Sequence, residues 1–308
     1  MSEQSFVTRL QQAHSKNKIT ENRSELWEWC DSKSNQVEVT ESNLENMVSL
    51  KMTTGFFWDV DGATLNTLIL LAEAVGASGL INPEGAKHAL PINNCVGLSE
   101  EQVLAKVKSR LGFEVKLPGF LRSSTAGTKE GQLTTRHCHA IYATKRILEM
   151  YPNKDTRIIE IGAGLGLLPY FLASVGYTNY CSIDLATASV CQAYFLHKNL
   201  PNTNIILSKE VSDPFDVQHK NSLKLLHASD YVNVPPHSFD LMVNMDGLTE
   251  YNYEDACKYA NSECAPTLFS INHEMNDYRV VDIVVEKKLK YRVPYWLRPG
   301  YVEELYTK

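Results

Sequence analysis

The stretch from Arg157 to Leu168, Arg-Ile-Ile-Glu-Ile-Gly-Ala-Gly-Leu-Gly-Leu-Leu, constrains this chain more than any other. Ile158, Ile159 and Ile161 are β-branched and form a short apolar run, as a strand covered on both faces requires. The glycines at 162, 164 and 166 then allow a tight turn and a close backbone approach, because no Cβ is in the way. A helix opening after such a turn presents unpaired N–H groups. Strand, glycine turn and helix together predict a nucleotide-type cofactor site. The spacing separates the cofactors. In a dinucleotide fingerprint, G-x-G-x-x-G, the third glycine would fall on Leu167. The chain has an acid and then alternate glycines: Glu160, Gly162, Gly164, Gly166.

That pattern resembles the first motif of the class I S-adenosylmethionine-dependent methyltransferases. The resemblance implies a Rossmann-like α/β fold with a seven-stranded sheet. It places the cofactor against Glu160, Gly162, Ala163, Gly164 and Gly166. Tyr180 to Asp184 reads as the next strand, ending in an acid about 20 residues after the turn. An acid there can accept hydrogen bonds from both ribose hydroxyls, with Leu185 beside it. Between them, Leu165 to Val175 predicts a helix, with Pro169 in its first turn and Gly176 after its end.

With 308 residues, 44% of them hydrophobic and 21% charged, the chain can bury a large core and is not disordered by composition. A net charge of −6 argues against nucleic acid or an anionic membrane as the main partner. The seven cysteines show no zinc spacing and no C-x-x-C pair, so free thiols in a reducing cytoplasm are expected. The N-terminus lacks the apolar run of a secretion signal. The most apolar window, Leu65 to Ile81, is interrupted by Asn66, Glu73 and Ser78, and predicts a buried helix, not a membrane span.

Residues 1 to about 118 read as a mostly helical N-terminal region, for dimerisation or as a substrate cap, and 119–308 as the catalytic domain. Trp27 and Trp29 suggest a helix facing the core or a second copy, and 56–62 an aromatic cluster. Ser99 and Gln102 form a capping-box pattern. A polar loop follows at 120–128, then a helix capped by Thr134 or Thr135 and running to about Met150. His137 and His139 are two apart, so a helix points them in different directions and they cannot share a metal. Because a helix in this place borders the cleft in class I methyltransferases, the resemblance implies Arg122, Ser123 and His139 as lining residues.

Beyond Asp184, a helix is expected over 187–199, and strands at 204–207 and 223–227, one of them the third of the sheet. The family resemblance makes Ser229 and Asp230 the candidates for adenine contact. Phe239 to Asp246 is a strand with a polar end, followed by a helix over 253–264 capped by Asn252 and a strand over 266–274. Ligands of open α/β sheets bind beyond the carboxyl ends of strands, which puts Asn244, Asp246 and Glu250 by the cleft.

With the tail Arg-Val-Pro-Tyr-Trp-Leu-Arg-Pro-Gly-Tyr-Val-Glu-Glu included, residues 120–308 resemble the bacterial sugar O-methyltransferases found with surface-polysaccharide genes. This implies methyl transfer to a hydroxyl of a carbohydrate or nucleotide sugar. A sugar hydroxyl is a weak acid, so a base is needed. His273 is the first candidate, Asp246 the second, and Glu250 the group that orients them. Tyr253, Tyr295 and Trp296 are candidates to stack on a sugar face. Carboxylates around Asp246 could hold a divalent cation, although no local spacing demands one. The alternatives are a small-molecule methyltransferase and a non-catalytic module of the same fold.

Overall fold

The computed structural model describes residues 3–16, 38–48, 63–81, 92–120 and 132–308. Trp27, Trp29, the aromatic cluster at 56–62, Arg122 and Ser123 lie outside the described residues. The first half is helical: α1 (Glu3–Lys16), α2 (Glu41–Val48), α3 (Ala63–Ala74), then the short strands β1 (Leu80–Ile81) and β2 (Ile92–Asn93), α4 (Glu100–Leu111) and α5 (Thr135–Met150). The second half alternates: β3 (Ile158–Ile161), α6 (Leu167–Ser174), β4 (Tyr180–Asp184), α7 (Ala186–Asn199), β5 (Ile205–Leu207), β6 (Leu223–His227), β7 (Leu241–Met245), α8 (Tyr253–Ala260), β8 (Thr267–His273), α9 (Val280–Ile283), β9 (Lys288–Pro294) and β10 (Tyr301–Thr307).

The main sheet has eight strands, not seven, in the order β5-β6-β4-β3-β7-β8-β10-β9. Both strands between α7 and β7 join it: β6 takes the inner place beside β4, and β5 adds a parallel edge. Strands β5 to β8 are parallel neighbours, whereas β10 runs antiparallel to both β8 and β9. This is a doubly wound α/β sheet. Its order reverses between β3 and β7, which is where such sheets open a crevice for ligands.

Side-chain alternation divides the core in two. Ile158 joins Phe6, Leu44, Leu68, Val103, Ile141, Phe171 and Phe195 on one face. Ile159 and Ile161 join Met242, Leu248, Leu268 and Ile283 on the other. The period of two along β3 thus places Ile158 in one layer and Ile159 and Ile161 in the other. The N-terminal helices share the first layer. The Phe6 ring stacks on His197 of α7 at 3.9 Å, and Arg9 donates to the Ile205 carbonyl at 2.7 Å.

Three expected helices are shorter than read, each for a local reason. The helix read over 65–81 stops at Ala74, because Gly76 turns left-handed (φ +71°), and Leu80 and Ile81 instead pair with β2. The helix after the glycine turn starts at Leu167, since Gly166 at φ +90° stands as its N-cap. The helix read over 253–264 stops at Ala260, where Lys287 Nζ takes the carbonyls of Ala260 and Ser262. The Ser99–Gln102 box forms as expected. Cys95, Cys138, Cys181, Cys191, Cys257 and Cys264 are free thiols. Among the described residues, no helix is long and apolar enough to cross a membrane.

Candidate active site

The glycine turn closes over the carboxyl end of β3. Gly162 N–H donates to Ile183 O at 2.8 Å and Gly166 N–H to Ala163 O at 3.0 Å. Asp184 fastens the turn from the neighbouring strand. Its Oδ2 accepts from Gly164 N–H and its Oδ1 from Leu185 N–H, both at 2.8 Å. The acid read as a ribose acceptor therefore also shapes the loop.

Gly162 has φ +76°, and a Cβ there would lie 2.5 Å from the Tyr251 hydroxyl. The first glycine thus makes room for a phenol of this chain, which lies on the turn. Burial pushes the Tyr251 phenol well above its usual range, and Asp184, Tyr259, Glu250 and Glu160 add to the shift. Glu160 is buried beside Tyr180, whose hydroxyl donates to its carboxyl group. Burial pushes Glu160 up to about 8, so it is mostly protonated at neutrality. Ser229 and Asp230 lie past the end of β6. The Ser229 hydroxyl meets His227 Nδ1 at 2.7 Å, and Asp230 accepts from Ser208 and from His227 N–H.

On the other side of the crevice, the ends of β7 and β8 are locked by a buried amide network. Asn244 Nδ2 donates to Ile161 O at 2.7 Å, and its Oδ1 accepts from Leu248 N–H and Asn272 Nδ2. Asn272 Oδ1 in turn accepts from Gly247 N–H at 2.9 Å. Asn244, expected at the cofactor, is thus committed to tying the strand end and the following turn to β3. These bonds hold Asp246 in the left-handed region at φ +63°, a strained conformation of the kind that clusters at functional sites.

The turn brings Asp246, Glu250 and His273 together: one oxygen or nitrogen from each lies within 4.8 Å of the others. Glu250 Oε1 faces His273 Nε2 at 3.6 Å, and His273 Nδ1 accepts from Met275 N–H at 3.3 Å. That bond favours the neutral tautomer with its proton on Nε2, toward Glu250. Asp246 is occupied differently. Its Oδ2 accepts from Arg136 Nη1 at 3.0 Å and Arg298 Nη1 at 2.9 Å, and its Oδ1 from the Tyr301 hydroxyl. Burial alone would raise this carboxyl, but Arg136, Tyr301 and Arg298 together hold it below the usual range. It acts as a counter-charge, and a group so acidic is a poor base. A divalent cation would meet two guanidinium groups on the same carboxylate, which disfavours it electrostatically.

His139 belongs to this cluster. Its Nδ1 lies 2.7 Å from the Tyr295 hydroxyl, and burial, with Arg136 and Arg298, pushes the imidazole down to about 3. It is a neutral wall residue. Tyr253 is exposed and packs edge-on against Tyr278, and Trp296 is exposed with its Nε1 bound to Glu73 of α3 at 2.8 Å. Sequence reasoning missed Arg136, Arg298, Tyr301 and Tyr251. Arg136 stands 110 positions from Asp246, so nothing local marks the pair.

No protein-family model matches the chain, and no curated protein does. Solved structures similar to it include a SAM-dependent methyltransferase from Aquifex aeolicus, at 13% identity over 53% of this chain and 88% of that one, with a TM-score of 0.37. An S-adenosylmethionine-dependent methyltransferase from Mesorhizobium loti matches at 10% identity over 54% and 98%, with a TM-score of 0.37. A tRNA (uracil-54, C5)-methyltransferase from Pyrococcus abyssi matches at 12% over 60% and 41%, with a TM-score of 0.38.

Proposed function

We propose that the chain is an S-adenosylmethionine-dependent O-methyltransferase acting on a sugar hydroxyl. The observation that carries this is the convergence of Glu250 and His273 beside the glycine turn, at the reversal of the strand order. The turn backbone at 162–166, Asp184 and Leu185 would hold the cofactor. The surroundings fit a sulfonium: the Asp184 carboxylate fastens the turn, and Glu250 acts with it on the adjacent Tyr251. Bound there, the cofactor supplies an electrophilic methyl group on a good leaving group.

The chain must then position the acceptor hydroxyl in line and take its proton. Glu250 and His273 do this as a pair. The Nε2–H of His273 faces the Glu250 carboxylate and orients it toward the hydroxyl proton. A proton accepted by His273 requires its Nδ1 contact with Met275 to loosen. Arg136 and Arg298, fixed by Asp246, add positive charge that favours the departing proton. Residues 119–308 supply this machinery, and the described helices of the N-terminal region pack on one face of the sheet as a cap. Free thiols suit a reducing, cytoplasmic setting.

The test is transfer of labelled methyl from S-adenosylmethionine to a panel of nucleotide sugars, lipid-linked glycans and polymeric glycans, repeated with a chelator present. Transfer to a sugar that survives chelation is the expected result. Transfer only to phenols or amines would favour a small-molecule methyltransferase, and a phenol, being more acidic, would tolerate loss of His273.

A further inference from the structure

Resting on the transferase reading above, we infer that the acceptor carries an anionic group, a phosphate or a carboxylate, received by Arg298 and Arg136 beside the Asp246 turn. The two guanidinium groups share one carboxylate oxygen, at 2.9 and 3.0 Å. The second oxygen of Asp246 is taken by Tyr301. Glu250 faces His273 at 3.6 Å. Arginine–carboxylate pairs are frequently joined by two parallel bonds. Arg298 makes one, through Nη1, and its side chain is 40% exposed. Its guanidinium lies 4.1 Å from the centroid of the Tyr301 ring, so its direction is fixed before any ligand arrives. A held, half-exposed guanidinium matches the planar edge of a carboxylate or the oxygens of a phosphate.

The opposite half of the crevice explains why the anion would sit here. On the turn, the Asp184 carboxylate accepts from Gly164 N–H and Leu185 N–H. On the other side, Arg136 and Arg298 share the Asp246 carboxylate. The carboxylate of the turn and the guanidinium groups thus stand on different sides of the crevice. A cationic cofactor is drawn to the glycine turn and an anionic acceptor to the arginines, with Glu250 and His273 between them. Opposite charges on the two ligands would orient them before chemistry begins.

Calorimetric titration of the full chain with two matched pairs tests this: glucose 1-phosphate against glucose, and methyl glucuronide against methyl glucoside, with S-adenosylhomocysteine present. The charged member of at least one pair should bind about tenfold more tightly or better, and added salt should shrink the difference. The pair that shows it identifies phosphate or carboxylate. Arg298→Gln should abolish the preference and Arg298→Lys should keep part of it, with thermal unfolding used to confirm that both variants fold. Equal affinity for charged and neutral sugars, no affinity for either charged sugar, or a preference that survives Arg298→Gln overturns the inference. Equal affinity with a loss of turnover alone in Arg298→Gln would mean that the arginines only acidify the hydroxyl. The cofactor arm keeps the two readings apart. Anion preference without binding of S-adenosylhomocysteine removes the transferase reading and leaves the anion site, and the reverse removes the anion site alone.

Discussion

The two sides of the crevice are built in opposite ways. The cofactor side comes from one continuous βαβ unit, β3 to β4. Its parts, Gly162, Gly164 and Asp184, lie within a short span and are joined by backbone hydrogen bonds. The side proposed for the acceptor is assembled from α5, the turn after β7, the end of β8 and the link between β9 and β10, joined by side-chain bonds. The first side is set by chain geometry and carries acids, whereas the second is set by ion pairs and carries arginines. Damage should therefore separate. Changes on the acceptor side should alter turnover and leave the cofactor in place, and changes on the turn should do the reverse.

The largest expected effect tests the acceptor side. His273→Ala should lower turnover by about 10²- to 10⁴-fold, the usual worth of a positioned acid–base group. Its affinity for S-adenosylhomocysteine, measured by calorimetry, should stay at the wild-type value. Glu250→Gln separates the partners. A loss as large as that of His273→Ala means that the pair works as a unit, and a small loss makes His273 the sole base. Full turnover in His273→Ala would remove the base assignment.

On the turn, Asp184→Ala leaves the N–H groups of Gly164 and Leu185 without their carboxylate. Bonds to a charged acceptor contribute about 1.5–3 kcal/mol, so cofactor affinity should fall roughly ten- to hundredfold. Turnover at saturating cofactor should fall much less. An unchanged affinity would take Asp184 out of the cofactor site.

A smaller effect addresses why residue 162 is glycine. In Gly162→Ala the new Cβ would stand 2.5 Å from the Tyr251 oxygen but 3.8 Å from its Cζ. The single change should cost about 1–3 kcal/mol in chemical denaturation. Adding Tyr251→Phe removes the clashing oxygen and should restore part of that. The remainder, on the order of 1 kcal/mol, belongs to the left-handed backbone and should persist. A double variant no more stable than Gly162→Ala would show that Tyr251 does not press on the turn.

The contrast also explains what the sequence revealed. A βαβ unit writes its geometry into adjacent residues, so the glycine spacing, Leu167 and Asp184 were legible without a structure. The parallel order of the sheet followed from the same alternation. His273, Asp246 and Glu250 could be named because polar strand ends face ligands, and the fold does bring them together. Their roles were not legible. Asp246 becomes a counter-charge through Arg136 and Arg298, which meet it only after the chain has folded. Asn244 turns inward because the turn after β7 has backbone groups to satisfy. Trp296 faces Glu73 of α3, a contact between residues 223 positions apart. The eighth strand was hidden for a different reason: two short apolar runs fit one expected place, and nothing local shows that the sheet takes both.

The smallest effect concerns the acid under the turn. Glu160 has its pKa raised to about 8 from its ordinary value of 4.5, chiefly by burial. The native state therefore holds this proton more tightly than the unfolded chain does. The stability that depends on it is complete at low pH and is lost as pH rises through about 8. Glu160→Gln keeps an oxygen for the Tyr180 hydroxyl but cannot ionise. Its unfolding temperature should fall less than that of the wild type between about pH 5 and pH 8, with the two proteins closest at the acid end. Acid-side groups such as Asp246, held below the usual carboxylate range, give the opposite slope at lower pH and cancel when the two proteins are compared. Parallel curves would mean that Glu160 is ionised in the folded state. The cofactor side would then carry a second full negative charge beside Asp184, and its preference for a cation would be stronger than the protonated form allows.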